Sequence, residues 1–438
     1  MKSVRIGAGA GFAGDRIDPA VELAEFAQLD FLVFECLAER TIALSHIRKR
    51  LDADGGYDPL LAERMSAVLP ACRRNGTRVI SNMGAANPRA AARKTVEIAR
   101  SLGLHGLRVA CVEGDDVLHH RHAFKRFNDE PLPDPETCLS ANAYLGADAV
   151  ANALNCGADV VLTGRVADPS LFLGALVHEF GWDSAGWDRL GQGTVIGHLL
   201  ECAGQLTGGY FADPGHKDVP DLERIGFPFA EVNEEGCAVL MKLDGTGGLI
   251  NRQTCTEQIL YEVTDPARYV TPDVVADFSG VRFAQEGPDK MRVWGGRGQP
   301  QPRDYKVSLG MDDGVIADAQ ISYAGRGAVE RAELARTILE RRLARSSAAN
   351  LRIDLIGLNA MHSAPADWAA PYEVRLRAAA RFESEAAASV LAREVESLYL
   401  NGPAGGAGVT AAVRENIAIV PALIARELVT ASVSIEEV

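Results

Sequence analysis

Along the first half of the chain, short apolar runs at Val4–Ala8, Phe31–Glu35, Thr77–Asn82, Leu107–Val112 and Asp159–Thr163 are separated by longer stretches whose apolar positions recur every three to four residues. The runs have the length and continuity of strands covered on both faces. The spacing between them predicts helices over Pro19–Gln28, Leu60–Asn75, Pro88–Leu102 and Ser140–Asn155. Strand and helix in alternation predict parallel βα units. After residue 205 the rhythm changes. Ala230–Leu243 reads as a hairpin about Asn233-Glu-Glu-Gly236, and the runs between Val274 and Tyr323 are short and broken by Gly, Pro and Asp. A long helix over Ala328–Arg345, strands at Leu351–Leu358 and Tyr372–Phe382, and a helix over Glu383–Leu400 follow. The expected fold is therefore α/β: an N-terminal domain of parallel βα units over 1–205, then a second, α+β domain with antiparallel strands over 206–438.

The segment Gly157–Leu171 carries the strongest site signal. Val160, Val161 and Leu162 fill a buried strand, and Asp168-Pro169 reads as an N-cap followed by proline at the first helical position. Thr163, Gly164 and Arg165 then fall at the carboxyl end of the strand, where loops and helix amino termini converge in open α/β sheets and ligands gather. Arg165 is placed to hold a carboxylate. The plainer alternative is a strand–helix connection with Arg165 paired to Asp168.

Other turns carry related chemistry. Gly9-Ala-Gly-Phe-Ala-Gly14 follows the first strand in the form G-x-G-x-x-G, and Glu35 closes the next strand, which taken literally is a dinucleotide fingerprint. Asp15 and Arg16 follow the third glycine and Pro19 starts the helix late, so an anion or substrate loop built by Gly9, Gly11 and Gly14, or a tight turn alone, stand beside that reading. Glu35 and Glu39 lie four apart, as a paired carboxylate on one helical face would. Asn82 and Gly84 end the third strand, with Asn87 before Pro88 as the cap of the next helix. The acids of Glu113-Gly-Asp-Asp116 could bind a cation or hold an arginine, while His119, His120 and His122 lack ordinary metal-ligand spacing. Asn142 and Tyr144 are placed near the ligand edge, Tyr144 more as a core residue. His198, Glu201 and Gln205 align at i, i+3 and i+7 before the turn Thr207-Gly208. Asp244-Gly-Thr246-Gly247 is a further glycine turn, before a helix over Arg252–Val263 in which Thr254 and Glu257 have capping-box form. The loop at Gly405 is another.

Composition narrows the function classes. A net charge of −14 and no basic patch disfavour nucleic acid and anionic membrane surfaces as partners. No apolar run approaches the roughly 20 residues of a membrane span, and the start of the chain lacks signal-peptide character. The 8 cysteines form no C-x-x-C pair, so thiols in a cytoplasmic setting are expected. A G-x-S-x-G elbow, a P-loop and the H-E-x-x-H zinc helix are all missing; His178-Glu-Phe-Gly-Trp182 lacks the second histidine.

Taken together, Arg5–Arg16, Leu37–Thr41, Asn142–Ala147, Gly157–Leu171, His178–Trp182, Gly197–Gly215, Asp244–Gly248, Glu257–Glu262 and Asn401–Gly408 resemble the acyclic terpene utilisation (AtuA) family over most of the chain. The resemblance implies a catabolic enzyme working beside acyl-CoA enzymes on branched chains. It also implies a small ferredoxin-like partner subunit, because some relatives carry such a domain at the C-terminus. The expected chemistry is lyase-type, hydration or dehydration of a branched or carboxylated acyl-CoA or related hydroxy acid, with a nicotinamide oxidoreductase or a non-catalytic subunit as alternatives. The expected catalytic residues are Asp15, Glu201, Asn82, Arg165, Asp168 and His198. Gly9, Gly11, Arg16, Gly84, Asn142, Thr163, Gly164, Thr207, Gly208, Asp244, Thr246, Gly247 and Gly405 are expected to bind substrate. Neither a metal nor a cofactor is expected beyond the coenzyme A of the substrate, and a homo-oligomer is.

Overall fold

The computed structural model describes residues 2–362 and 369–438. The chain forms two compact units, Met1–Gly310 with Ile419–Val438, and Met311–Ala418.

The first unit is built on a 10-stranded sheet. Its parallel centre is β1 (Ser3–Ala10), β2 (Phe31–Phe34), β3 (Arg78–Ser81), β7 (Val160–Thr163) and β4 (Arg108–Glu113), side by side in that order. These are the expected apolar runs. Their residues are buried on both faces because helices cover the sheet: α1 (Asp18–Phe26), α3 (Leu61–Asn75), α4 (Pro88–Ser101), α5 (Ala147–Asn155), α6 (Asp168–Phe180) and α7 (Trp187–Leu200). A further helix, α2 (Glu39–Leu51), follows β2. The expected helix over Ser140–Asn155 is a strand and a shorter helix. Residues of β6 (Cys138–Ala143) exchange main-chain bonds with the segment after β4, Ala143 N donating to Asp115 O at 2.7 Å, so α5 starts only at Ala147. Long-range pairing outweighs the helix propensity of an alanine-rich run.

The hairpin expected over Ala230–Leu243 is β8 (Pro228–Asn233) and β9 (Ala238–Lys242). It does not open a new domain after residue 205. Instead β8 pairs antiparallel with β1, Ile6 opposite Ala230, and β12 (Arg282–Gly287) with β13 (Lys290–Trp294) extends the same edge. At the other edge β19 (Ser432–Glu437) returns antiparallel to β4. A small sheet of β10 (Tyr269–Val270), β11 (Val275–Asp277) and β14 (Arg297–Gln299), the short β5 (Lys125–Arg126), and helix α8 (Arg252–Leu260) complete the unit. The capping box of α8 is made by Asn251 and Thr254 rather than Thr254 and Glu257, because Asn251 precedes the first turn and can reach its free N–H groups. Among the described residues no helix is long and apolar enough to cross a membrane.

The second unit is a two-layer α+β body. The chain enters it within β15 (Asp304–Ala324) and leaves it within β18 (Ala407–Ala425), with β16 (Ala349–Ile356) and β17 (Glu373–Phe382) beyond β15 in an antiparallel order β16-β17-β15-β18. Val374, Leu376, Ala378, Ala380 and Phe382 alternate inward against α9 (Ala328–Leu343) and α10 (Glu385–Asn401). On the opposite face Arg375 donates to Gln320 and Ser322, and Arg377 pairs with Asp318. Helix α10 starts at Glu385 because Ser384 caps it, accepting from Ala387 N.

Gly84 tests how tightly the parallel strand ends are packed. A methyl group there would sit 2.5 Å from Thr163 O and 2.8 Å from Pro88 Cα. Gly84→Ala is expected to lower stability by about 1–3 kcal/mol through overpacking against backbone, read as an earlier denaturation midpoint; an unchanged midpoint would contradict this packing.

Candidate functional site

At the carboxyl end of β7 the chain turns through Gly164, whose missing side chain lets Asp115 press in: a Cβ there would lie 2.4 Å from Asp115 Oδ1. Asp115 Oδ2 accepts from Arg165 N at 2.8 Å and from Asn142 Nδ2 at 2.8 Å, and Asn142 Oδ1 meets His46 Nε2 at 2.9 Å. Arg165 is thus held by its backbone while its side chain is 2 % exposed. The guanidinium donates to Leu37 O, lies 3.1 Å from Asp168 Oδ1 and sits over the Tyr144 ring at 4.3 Å. Asp168 is not the N-cap. Ala167 is, without a side-chain bond, and the Asp168 carboxylate in the first turn of α6 turns to the guanidinium, the stronger partner.

Two close approaches bring a second group of acids beside this pair. Gly197 lets α7 cross the start of α6, since a Cβ would be 2.5 Å from Pro169 O, and Gly11 lets the chain after α7 rest on the end of β1, 2.5 Å from Cys202 C. They deliver His198 and Glu201, which bond at 2.7 Å while His198 Nε2 and Glu201 Oε2 stay buried without partners. Burial brings His198 down to about 4, so its ring is neutral at neutral pH. Burial, with the neighbouring Asp168 and Glu262, pushes Glu201 well above the usual carboxylate range. Glu35 is raised in the same way, by burial and Asp168, although it accepts from Leu37 N at 2.8 Å and Asn82 Nδ2 at 2.9 Å. Burial raises Asp168 too.

Arg165, Asp168 and Tyr144 face a cavity of about 700 Å³ whose walls include Glu39, Glu262, Tyr269 and Lys306. The Tyr144 hydroxyl bonds to Glu39 and, at 3.1 Å, to Ser308. Lys306 Nζ lies 4.6 Å from the centre of the Tyr144 ring. Burial works against the charge of Glu39, but Arg165, the Tyr144 hydroxyl and Lys306 outweigh it and bring its carboxyl down to about 2.

The structure gathers Glu201, His198, Arg165, Asp168, Asn82, Asn142, Thr163 and Gly164 of the expected residues around these strand ends. The remainder serve otherwise. Asp15 accepts from Gly11 N at 2.9 Å and Arg16 N at 2.8 Å, so the donors a pyrophosphate would need are taken by the protein's own carboxylate. Gly9 is filled by the Phe34 ring, and Arg16 pairs with Asp18 and reaches Glu223 O. Thr207, Gly208, Thr246 and Gly247 form a lattice of turns: Leu249 N donates to Thr207 O, Thr207 Oγ1 to Gly226 O, and Gly247 N to Arg224 O, while Gly208 packs on Val219 and Asp244 is exposed. Gly405 belongs to the other unit, where Arg331 donates to the adjacent Ala404 O. Arg165 does not wait for an anion but is already engaged, because a buried guanidinium must be paired. Glu35 and Glu39 are not on one helix; one follows β2 and the other opens α2. Gln205 likewise lies beyond α7, which ends at Leu200.

Sequence reasoning undervalued Tyr144 and missed Lys306 and Glu262. Lys306 and Glu262 sit in segments far along the chain with no local motif. For Tyr144 the signal was its position two residues after Asn142, just past the end of β6. The histidines 119, 120 and 122 gather no ligands: His119 and His120 lie with ring centres 4.0 Å apart and His122 is 3.5 Å from Glu136.

This is an α/β protein with an acid-rich cavity at the carboxyl ends of its parallel strands. Residues 4–435 match the model of the family described as acyclic terpene utilisation family protein AtuA, and the chain belongs to that family. No curated protein and no solved structure matches it.

Asp273 fixes the helix that carries Asp168, accepting from Ala147 N at 2.7 Å and from Ser170 Oγ at 2.5 Å. Burial pushes its carboxyl from 3.8 up to about 6. The folded state therefore holds a proton that the unfolded chain has released, and the contribution of Asp273 to stability is full below 3.8 and falls as pH rises through about 6. Denaturant titrations at the two ends of that interval are expected to show this loss in the native chain and a flatter profile in Asp273→Asn.

Proposed function

We propose that the chain is a catabolic lyase of the hydratase or dehydratase type, acting on a branched or carboxylated acyl-CoA or a related hydroxy acid. The observation that carries the reading is a pair of carboxyls on one cavity whose environments drive them apart: Asp168 is raised by burial, and Glu39 is held down at about 2. Groups separated in this way divide the work of acid and base from that of a fixed charge. In the dehydration direction Asp168 takes the proton adjacent to the substrate carbonyl, the bond from the next carbon to its hydroxyl breaks, and the departing hydroxide takes that proton from Asp168 and leaves as water; hydration runs the same steps in reverse. Its elevated position brings its basicity toward that task. Glu39 stays anionic and orients the Tyr144 hydroxyl. Lys306 supplies positive charge where negative charge develops on the carbonyl oxygen. Arg165 keeps Asp168 in place, and Glu201 is bonded to His198 nearby.

The test is turnover by the purified chain of a panel of hydroxyacyl and enoyl thioesters and the corresponding free hydroxy acids, followed by mass spectrometry. Asp168→Asn is expected to lower kcat by about 10²-fold or more with little change in KM, and Glu39→Gln to lower it less. As a base Asp168 must be deprotonated, so kcat/KM is expected to rise with pH on a limb above the ordinary carboxylate range, and that limb disappears in Asp168→Asn. No turnover of any panel member, or an Asp168→Asn variant as active as the native chain, overturns the reading.

A further inference from the structure

The second unit ends in a strand whose outer edge, among the described residues, pairs with no other strand along Ala407–Ala418. Along Ala407–Ala418 strand β18 lies beside β15 on one side, and on the other its only strand partner among the described residues, β5, reaches Ala422 and Leu423 alone. Ala407, Gly408, Thr410, Ala411, Ala412, Arg414 and Glu415 are all exposed. The stretch Val409-Thr-Ala-Ala-Val413 has β-branched residues and no proline, lysine or other charge. Open edges of this kind are ordinarily blunted by such residues, because their free N–H and C=O groups template another strand.

We propose that β18 pairs antiparallel with β18 of a second copy of this chain, with Ala411 on the two-fold axis. The direction of the backbone groups sets the register. Val409 N donates to Tyr399 Oη at 3.1 Å rather than to a strand, so Val409 faces away from β15, and in a regular strand Ala411 and Val413 do so too; on pairing, the Val413 carbonyl of the second copy takes the place of that hydroxyl. A two-fold axis perpendicular to the sheet opposes residues of the same parity. Centred on Ala411, it makes Ala411 opposite Ala411 a pair exchanging both main-chain bonds and sets Val409 opposite Val413 on each side.

Side chains agree with this register. Val409 and Val413 pack against the helix-covered core of the unit, so the seam joins the two cores. Thr410 lies on the opposite face with Arg375, which donates to its Oγ1 at 2.8 Å. Gly408 has a φ of +65°, so the regular pairing runs from Val409 to Val413, and that stretch carries no charge to meet its like across the seam, which would be destabilising. The self-complementarity favours a second copy over an unrelated strand: one short segment supplies both halves of an isologous contact.

Sedimentation analysis of the full chain is expected to show a concentration-dependent dimer. Ala411→Pro removes the outward N–H at a position where the β15 ladder loses no bond, so it is expected to give a monomer with an unchanged circular dichroism spectrum. Because Ala411→Pro could disturb the strand, Ala411→Cys is the second variant. The opposed Cα atoms of such a pair lie about 5.5 Å apart, within disulfide range, so oxidation is expected to yield a dimer linked through residue 411 by peptide mapping, and Ala412→Cys none through residue 412. A native chain that stays monomeric across the concentration range, or a dimer that survives Ala411→Pro while Ala411→Cys fails to cross-link, overturns the proposal. These outcomes are independent of turnover at the cavity.

Discussion

A guanidinium buried at the end of a parallel strand is the constraint on which the rest of the first unit is arranged. Leaving such a charge unpaired costs about 3–5 kcal/mol, and Arg165 is almost fully enclosed. Asp168, the Leu37 carbonyl and the face of Tyr144 answer that demand together, each from a different element. Once they are in place the electrostatics of the neighbourhood follow. Glu39 shares the positive charge of Arg165 and Lys306 and remains ionised, whereas burial and the neighbouring Asp168 push Glu35 and Glu201 well above the usual carboxylate range. Two cations among several acids produce both kinds of carboxyl within a single site.

The glycines belong to the same economy of space. Gly11, Gly164 and Gly197 carry no side chain because backbone or a carboxylate from another segment occupies the volume a methyl group would need. Through these approaches the acids of α7 come beside those of α6. The turns around Thr207 and Gly247 also need glycine, but there the N–H groups are consumed by neighbouring turns, which makes that region a rigid support.

Much of this organisation was legible along the chain. The five apolar runs became the parallel centre of the sheet, the Gly157–Leu171 segment ended its strand where expected, and His198 and Glu201 met as their i, i+3 spacing implied. Of the two alternatives offered for Arg165, the pairing to Asp168 is made, and the guanidinium also borders the cavity. The errors share a cause. Gly9, Gly11 and Gly14 match a dinucleotide motif in spacing, yet Asp15 satisfies the donors the motif would offer, and a local pattern does not record which segment fills a turn.

What the sequence determined by itself is what depends on neighbours along the chain: the periodicity that makes strands and helices, the proline and glycine punctuation between them, and the family likeness carried by its motifs. Tertiary structure decided what depends on neighbours in space. It assigned the hairpin at Pro228–Lys242 to the first sheet through pairing with β1, brought Tyr144, Lys306 and Glu262 to one cavity from distant segments, and left one edge of β18 open. Burial and charge are sums over everything nearby, so the ionisation of Asp168 and Glu39 has no representation in a string of residues until the fold sets their surroundings.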